Sequence, residues 1–497
     1  MPPAPWPRVR TLLAVCAAAG LATCGPAAPP APPSAGPLPA FAPHQAGVPL
    51  GPGLVTAAVD EGCGDCHADV VAAYATNGMH EALTLPGGAG TIEAGLVGRG
   101  IVDAETGIRA RFDVRDGRYE QTVRYVDPAG VERVRHTFPV DLVIGSGTAG
   151  RSYLSVAGRG LLMLPLSWFR QAEGLTLSPG PGFHGVASRP ATTLCIQCHT
   201  GDARPVDPAV PHGFRGEISL GVGCARCHGD GAEHSATGDP RAIVNPARLP
   251  LQQQSEVCYQ CHFSGAEQFF APGRDLSHHT PGAPLAATMG VYVPAEQAVE
   301  TGATVAGHVV RLHRSLCFTA SGDLTCTTCH NPHRPASATG AAGCGLCHAA
   351  DDCGTAHAAR AETSCADCHM LRTAAADIDH TQTTDHWIRR RPVPDESGAA
   401  PEEQRLGAHA VRDLDLVNVL DPRGEQPHAR LLDAHAYLAG VDAAAAGLGL
   451  PAPGYLARAE RMLDELLAAR PDDPEVLWRR ARAHRLRGDV EPAAALL

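Results

Sequence analysis

The chain has 497 residues and a formal net charge of −12 at pH 7, which argues against a nucleic-acid partner because such proteins need a basic surface. Its length is enough for roughly two or three domains. Only 4% of the residues are aromatic, against 54 Gly and 43 Pro, so ordinary side chains alone are not expected to fill a large core.

Residues 1–24 have the pattern of a signal peptide for export. Arg8 and Arg10 form a short basic region, residues 12–22 are apolar but too few to span a bilayer comfortably, and small residues follow. The sequence Leu-Ala-Thr-Cys-Gly around Cys24 is similar to a bacterial lipobox, which predicts a lipid anchor on that cysteine. An ordinary cleaved signal peptide and an uncleaved short anchor are the alternatives.

Seven copies of the pentapeptide Cys-x-x-Cys-His follow in the next part of the chain. Two thiols at this spacing bond to the two vinyl groups of one porphyrin while the adjacent His binds its iron, so the pattern predicts seven covalent haem c groups. A zinc ribbon pairs two Cys-x-x-Cys knuckles per metal and needs no His after every second Cys. The predicted haem-attachment residues are Cys63, Cys66, Cys195, Cys198, Cys224, Cys227, Cys258, Cys261, Cys326, Cys329, Cys344, Cys347, Cys365 and Cys368, and the predicted iron ligands beside them are His67, His199, His228, His262, His330, His348 and His369.

The cysteines outside these motifs are few. Fourteen of the 18 cysteines belong to the motifs, which leaves Cys16, Cys24, Cys317 and Cys353 and excludes a disulfide scaffold as the main use of sulfur. Haem attachment needs thiols that are kept reduced outside the cytoplasm. The predicted location is therefore the periplasm or the cell surface.

The stretch between the first and second motifs has the texture of β-structure. Alternating apolar and polar segments are separated by Asp116-Gly117 and by the Asp-Pro-Ala-Gly sequence of residues 127–130, which predicts a β-meander with two tight turns. We expect a small antiparallel insertion over about residues 92–160. The alternating segments are residues 109–114, 119–126 and 131–138.

The predicted fold class is a mostly α-helical and irregular multihaem cytochrome c domain with this small antiparallel insertion, followed by an all-α tail. The heptahaem domain covers residues 54–391, where Gly, Pro and Thr between the motifs favour short helices and loops around stacked porphyrins. Residues 25–53, rich in Pro and Ala, are predicted to form an extended linker. A second linker is predicted over residues 392–424.

Residues 425–497 are rich in Ala, Leu and Arg and carry a repeat. Its period of 34 residues, with small residues where two helices would cross, is typical of tetratricopeptide repeats. An unrelated Ala-rich helical hairpin is the alternative. The chain ends within the second helix of the second repeat, so we expect a truncated sequence. The recurring residues are Gly454, Ala459 and Leu463, which return as Gly488, Ala493 and Leu497.

Each haem iron needs a sixth ligand or an open face. Thirteen His lie outside the motifs between residues 70 and 390, so two His ligands for every iron are available. The alternative for each is a surface His or one bonded to a haem propionate. The best-placed candidates are His80, His234, His333, His357, His380 and His386, and the weaker ones are His136, His184, His212, His278, His279, His308 and His313.

Several stretches of the chain are distinctive: residues 144–154, 164–180, 223–234, 243–246, 314–318, 324–333, 365–370 and 384–386. They resemble a bacterial family of multihaem cytochromes fused to C-terminal tetratricopeptide repeats, near the superfamily of the tetrahaem electron carrier and the hydroxylamine oxidoreductase of ammonia oxidisers. The resemblance covers roughly residues 60–392 and the tail. It implies haem contacts for His234, His333, His380 and His386, and it makes Met79 an alternative to His80 as the ligand of the first iron.

Two main classes of function remain, beside a repeat-based binding protein whose haems are structural. The first is an electron carrier, with the repeats docking redox partner proteins; the second is a haem-based reductase or oxidoreductase of a small nitrogen or sulfur compound such as nitrite, hydroxylamine or tetrathionate. The chain has no Lys, so it cannot build the Lys-ligated haem typical of ammonia-forming nitrite reductases. We find no nucleophile triad, phosphate loop or paired carboxylates, and we predict no catalytic residue. The sequence favours the electron carrier over the enzyme and over a repeat-based binding protein.

Overall fold

The structure is a computed structural model, and the residues it describes belong to one compact unit, Val48–Leu497. The predicted signal peptide with Cys24, the linker 25–53, His184, Cys353 and His357 lie outside the described residues. The described residues are 55–56, 62–87, 91–103, 107–179, 188–207, 210–215, 217–263, 267–294, 302–335, 340–349, 364–390, 415–445 and 453–496.

Strands organise much of the described part of the chain, where nineteen strands form five sheets. The prediction of a mostly helical and irregular haem domain is therefore wrong. The strands are β1 Val55–Thr56, β2 Leu83–Thr84, β3 Gly100–Val102, β4 Ile108–Arg115, β5 Arg118–Val126, β6 Glu132–Pro139, β7 Leu142–Ile144, β8 Gly150–Ala157, β9 Gly160–Phe169, β10 Gly174–Leu177, β11 Arg189–Pro190, β12 Arg204–Asp207, β13 Val210–Arg215, β14 Ile218–Ser219, β15 Glu267–Phe270, β16 Met289–Pro294, β17 Arg372–Ala374, β18 Gln382–Thr384 and β19 Leu416–Asn418.

The helices are short in the haem domain and longer in the tail. None in the described ranges has both the length and the apolar character to cross a membrane. They are α1 Gly64–Tyr74, α2 Ile92–Leu96, α3 Thr193–His199, α4 Ala225–His228, α5 Ala232–Thr237, α6 Leu251–Tyr259, α7 His308–Leu312, α8 Leu316–Ser321, α9 Cys326–Cys329, α10 Cys365–His369, α11 Ala429–Ala445, α12 Pro453–Ala469, α13 Pro474–Arg487 and α14 Val490–Ala495, with 3₁₀ turns at Pro246–Arg248, Leu276–His278, Leu285–Ala287 and Gly340–Leu346.

The largest sheet has eight strands in the order β12-β13-β9-β8-β7-β2, with β10 and β11 also paired to β9. Strand β9 is almost continuously apolar, and Leu161, Leu164 and Leu166 on it are buried. A run of this kind packs on both faces, so the alternation that marks a half-exposed strand is missing. This sheet supplies a core of ordinary side chains, contrary to the expectation from composition.

The second sheet has four strands in the order β3-β4-β5-β6. The three segments predicted as a β-meander form its strands β4, β5 and β6. The turn between β4 and β5 places Asp116 at φ 50° and Gly117 at φ 75°, the left-handed pair that a two-residue hairpin requires. Strands continue beyond the insertion predicted for about residues 92–160, because β10 to β13 extend the larger sheet.

The tail packs on the haem domain through a third sheet. Strand β19, from the end of the predicted linker 392–424, pairs with β16, and Tyr292 on β16 donates a hydrogen bond to Asp433 on α11 at 2.8 Å. Helices α11, α12 and α13 share an apolar core that buries Ala459 and Leu463. Their assignment to tetratricopeptide repeats stays a prediction.

Candidate haem-binding site

Each Cys-x-x-Cys-His motif, numbered one to seven in chain order, forms about one helical turn. In five motifs the His backbone N–H donates to the carbonyl of the first Cys at 2.9–3.2 Å, and the second and seventh lie within α3 and α10. Residues three and four apart share one face of a helix, so both thiols and the imidazole point the same way. All fourteen motif cysteines lie in the described residues and none of them forms a disulfide bond, so their sulfurs stay available for attachment to a porphyrin.

Among the described residues, three motif imidazoles face a second imidazole across a gap of suitable size for haem iron. An iron held between two axial nitrogens separates the ring centres by about 6 Å, given metal–nitrogen bonds of about 2 Å. The observed pairs match this spacing and are nearly parallel or moderately tilted. They are His67 with His234 at 6.3 Å and 16°, His228 with His333 at 5.9 Å and 9°, and His330 with His386 at 6.1 Å and 31°.

Backbone carbonyls set the tautomer of several of these rings. A carbonyl only accepts hydrogen bonds, so a ring Nδ1 beside it must carry the proton, and Nε2 keeps its lone pair for iron. This arrangement occurs for motif histidines and for those that face them. The contacts are His199 to Ala82 at 3.0 Å, His228 to Val244 at 2.9 Å, His369 to Arg389 at 2.6 Å, His234 to Asp239 at 2.9 Å and His386 to Thr384 at 3.0 Å.

Burial also favours the form of imidazole that binds metal. Removing a ring from water disfavours its protonated form, so the pKa falls and the neutral ligand persists to lower pH. For His262 the pKa falls to about 4. The histidines whose imidazole pKa is lowered mainly by burial include His199, His262, His308, His330, His333 and His386.

His308, one of the weaker candidates from the sequence, lies against the fourth motif. Its Nδ1 is 2.9 Å from Nδ1 of His262, with ring centres 4.9 Å apart, which is too close for an iron between the rings. Its ring is also 4.3 Å from that of His386. Tertiary packing brings the start of α7 to the fourth motif, so the distance of His308 from that motif along the sequence did not predict the contact.

Other candidates from the sequence have different contacts in the structure. The ring of His80 meets that of Tyr74 edge-on. The ring centre of His380 lies 6.2 Å from that of Phe169, and the His380 backbone has a φ of 59°. His80, His357 and His380 remain predictions as iron ligands. Among the weaker candidates, the ring of His136 packs on that of Phe138. The His278 side chain accepts a hydrogen bond from the Asp275 backbone N–H, and Nε2 of His313 is hydrogen-bonded to the Tyr259 hydroxyl.

Buried polar atoms without a partner concentrate near motifs two to four. Ten such atoms occur in the described residues, and six of them belong to Thr193, Arg226, Gln260 and His279. Arg226 lies between the cysteines of the third motif, and Gln260 lies between those of the fourth. Buried polar groups normally have partners, and the propionates of haem would offer acceptors to the guanidinium. The residues present therefore fit haem.

The seven motifs form one contiguous network. In the first pair, the histidine of motif one faces a histidine that follows motif three. In the second pair, motif three is joined in the same way to the segment after motif five, and in the third pair motif five is joined to the segment after motif seven. Thiols within hydrogen-bonding distance join further motifs. These thiol pairs are Cys198 with Cys261, Cys258 with Cys326, and Cys344 with Cys365.

A buried ion pair holds the segment that carries His386. The Asp385 carboxylate accepts two hydrogen bonds from Arg311, at 2.6 and 2.8 Å, and one from the Trp387 backbone N–H at 2.9 Å. Burial alone would raise the pKa of Asp385, but these hydrogen bonds and the charges of Arg311 and Arg389 lower it. The Asp385 side chain is only 2% exposed, so this part of the site is fixed.

Comparison with known proteins gives a partial match to a cytochrome. No protein-family model matches the chain, and no solved structure matches it. The chain is similar to the C-type polyheme cytochrome OmcC of Geobacter sulfurreducens, with 37% identity over 95 residues. The match covers 18% of this chain and 11% of that relative. It supports a multihaem c-type cytochrome, whereas the repeat fusion and the superfamily stay predictions.

Proposed function

We propose that this protein is an exported electron carrier with seven covalently bound haem c groups. The observation that carries the proposal is the set of three imidazole pairs at 5.9–6.3 Å, each beginning at a motif histidine. A bound haem supplies an iron that gains and loses one electron. The protein supplies two thiols and one imidazole per motif, and in these three cases it also supplies the second imidazole.

The contiguity of the motifs favours transfer between haems within one molecule. Each distal imidazole comes from the segment after another motif, so neighbouring haems would share a short stretch of chain. His234 lies six residues after His228, and His333 lies three residues after His330. Haems attached through such linked segments would lie close together, as transfer of single electrons requires.

Two imidazoles per iron favour a carrier over an enzyme. An iron with both axial positions filled has no place for a substrate, so the first, third and fifth haems would carry electrons without binding one. Export follows from haem attachment, which needs reduced thiols outside the cytoplasm. Redox partner proteins, docked by the tail repeats, and a lipid anchor at Cys24 complete the proposal.

The number of haems is tested by the mass of the denatured, purified protein. Thioether bonds survive denaturation, so the mass should exceed that of the mature polypeptide by seven haems, and a denaturing gel should keep its peroxidase stain. The double variant Cys63→Ala, Cys66→Ala should lose one haem and keep the rest. A mass showing fewer than six haems on the unaltered protein would contradict the count.

A further inference from the structure

The end of the first motif's helix reaches the loop that carries His333. Asn77, two residues past the C-cap of α1, is only 7% exposed. Its Nδ2 donates to the carbonyl of Pro332 at 3.0 Å and to that of Arg334 at 2.7 Å. One amide group therefore holds both peptide carbonyls that flank His333 in the sequence.

The acceptor side of the same amide fixes its orientation. Asn77 Oδ1 accepts a hydrogen bond from the Met79 backbone N–H at 2.9 Å, so the side chain cannot turn without losing that bond. A buried amide with its donors and its acceptor all engaged is rigid, and removing one partner leaves a buried polar group unpaired. The contact is therefore specific to Asn.

Tyr74, one turn earlier, supports the same imidazole from its edge. Its ring meets that of His333 at 6.5 Å and 80°, and its hydroxyl donates to the Val222 carbonyl at 2.7 Å. Val222 immediately precedes Gly223 and Cys224, the start of the third motif. Thus Tyr74, the last residue of α1, contacts both His333 and the residue two positions before the third motif.

These contacts converge on the most nearly parallel of the three imidazole pairs, His228 with His333 at 9°. The support is reciprocal, because the first motif's His67 faces His234, which follows the third motif. We propose that Asn77 is a positioning residue that holds His333 on the iron of the third haem. The inference rests on the proposed haem attachment. It makes ligation of the third haem depend on the segment that folds around the first.

The test uses the full-length protein with its haems, and Asn77→Asp is the informative variant. Asp keeps the shape and the acceptor for Met79, but it places oxygen against the two carbonyls where Asn offers hydrogen-bond donors. His333 should then leave the iron. We expect one haem per molecule to become high-spin in electron paramagnetic resonance, and the reduced variant to bind up to one additional carbon monoxide. Haem content by mass should stay at seven.

A double-variant comparison separates this role from general loss of packing. If Asn77 acts through His333, then His333→Ala gives the same single high-spin haem, and adding Asn77→Asp produces no second one. Thr76→Ala, which removes a local hydrogen bond from the exposed neighbour, should leave all spectra unchanged. Should Asn77→Asp fail to accumulate, Asn77→Ala removes the donors without adding a charge.

The outcomes are distinguishable. Seven haems with no new high-spin signal in Asn77→Asp or Asn77→Ala would overturn the inference and leave the proposed function intact. Two high-spin haems in the double variant would also overturn it, because Asn77 would then act on another iron. A haem count well below seven in the unaltered protein would remove the proposed function itself.

Discussion

The buried pair of Arg311 and Asp385 shows how single residues fix the segment that carries His386, a predicted iron ligand. Their side chains are 8% and 2% exposed, and they meet through two hydrogen bonds immediately before His386. Ser315 adds to this by accepting from the Ile388 N–H at 2.8 Å and donating to the His386 carbonyl at 3.0 Å. Ser315 and Asp385 lie in stretches that carry the family resemblance, but nothing in the sequence indicates that Asp385 pairs with Arg311.

Asp385→Asn should destabilise the haem domain strongly. The amide cannot neutralise the buried Arg311 guanidinium, and breaking one side of a buried ion pair costs about 3 kcal/mol or more. We expect the apparent free energy of unfolding in guanidinium chloride to fall by about that amount. Glu425→Gln, which removes an exposed partner of Arg423, is the control and should leave stability unchanged. Equal stabilities for the two variants would contradict this reading.

At the scale of elements, the tail meets the haem domain at the contact between α11 and β16. Burial raises the pKa of Asp433 despite the hydrogen bond from Tyr292. A carboxyl with a raised pKa in the folded protein keeps its proton longer than in the unfolded chain. Its contribution to stability is therefore greatest below its ordinary pKa of 3.8 and is lost as pH rises through the raised value.

Asp433→Asn should remove this pH dependence. The amide oxygen still accepts the Tyr292 hydrogen bond but carries no charge to bury. Near about pH 3 the variant and the unaltered protein should unfold alike; near about pH 7 the variant should be more stable, by less than about 1 kcal/mol because Asp433 is partly exposed. Thermal unfolding at both pH values measures the difference. Asp464→Asn, on the exposed face of α12, is the control, and a variant that loses stability at the higher pH would contradict the assignment.

The elements also show what sequence patterns can predict. The meander strands β4, β5 and β6 could be predicted because each alternates apolar and polar residues beside a recognisable turn. Strand β9 could not be predicted in this way, because it is buried on both faces and does not alternate. Short strands such as β2 and β14 pair with partners far away in the chain, and no local period reports such pairing. The sheet content was underestimated for these reasons.

The candidate site divides in the same way. The haem-attachment residues have a fixed local spacing, so the sequence alone is enough to predict all of them. Among the partners, His234, His333 and His386 were singled out and do face motif imidazoles, whereas His308 was ranked low and lies against His262. Asn77 and Asp385 act through contacts with segments hundreds or tens of residues away. Only the folded chain brings such partners together.

At the scale of the whole molecule, the decisive quantity is the number of irons closed to outside ligands. In the described residues three imidazole pairs leave room for an iron between two nitrogens. His80, His357 and His380 stay predicted ligands for other irons. An iron with two imidazoles is low-spin and has no free position. Irons closed in this way would carry electrons, and substrate chemistry would need one of the other irons.

We predict that His80, His357 and His380 also fill iron positions, so the oxidised protein should be dominated by low-spin signals in electron paramagnetic resonance and the reduced protein should bind little carbon monoxide. Because filled axial positions exclude substrate, it should reduce nitrite or hydroxylamine no faster than free haem does. His234→Ala provides the matched comparison, since opening the first iron should add one high-spin haem and one carbon monoxide site. A clear high-spin haem in the unaltered protein, together with turnover of either substrate, would favour the reductase over the electron carrier.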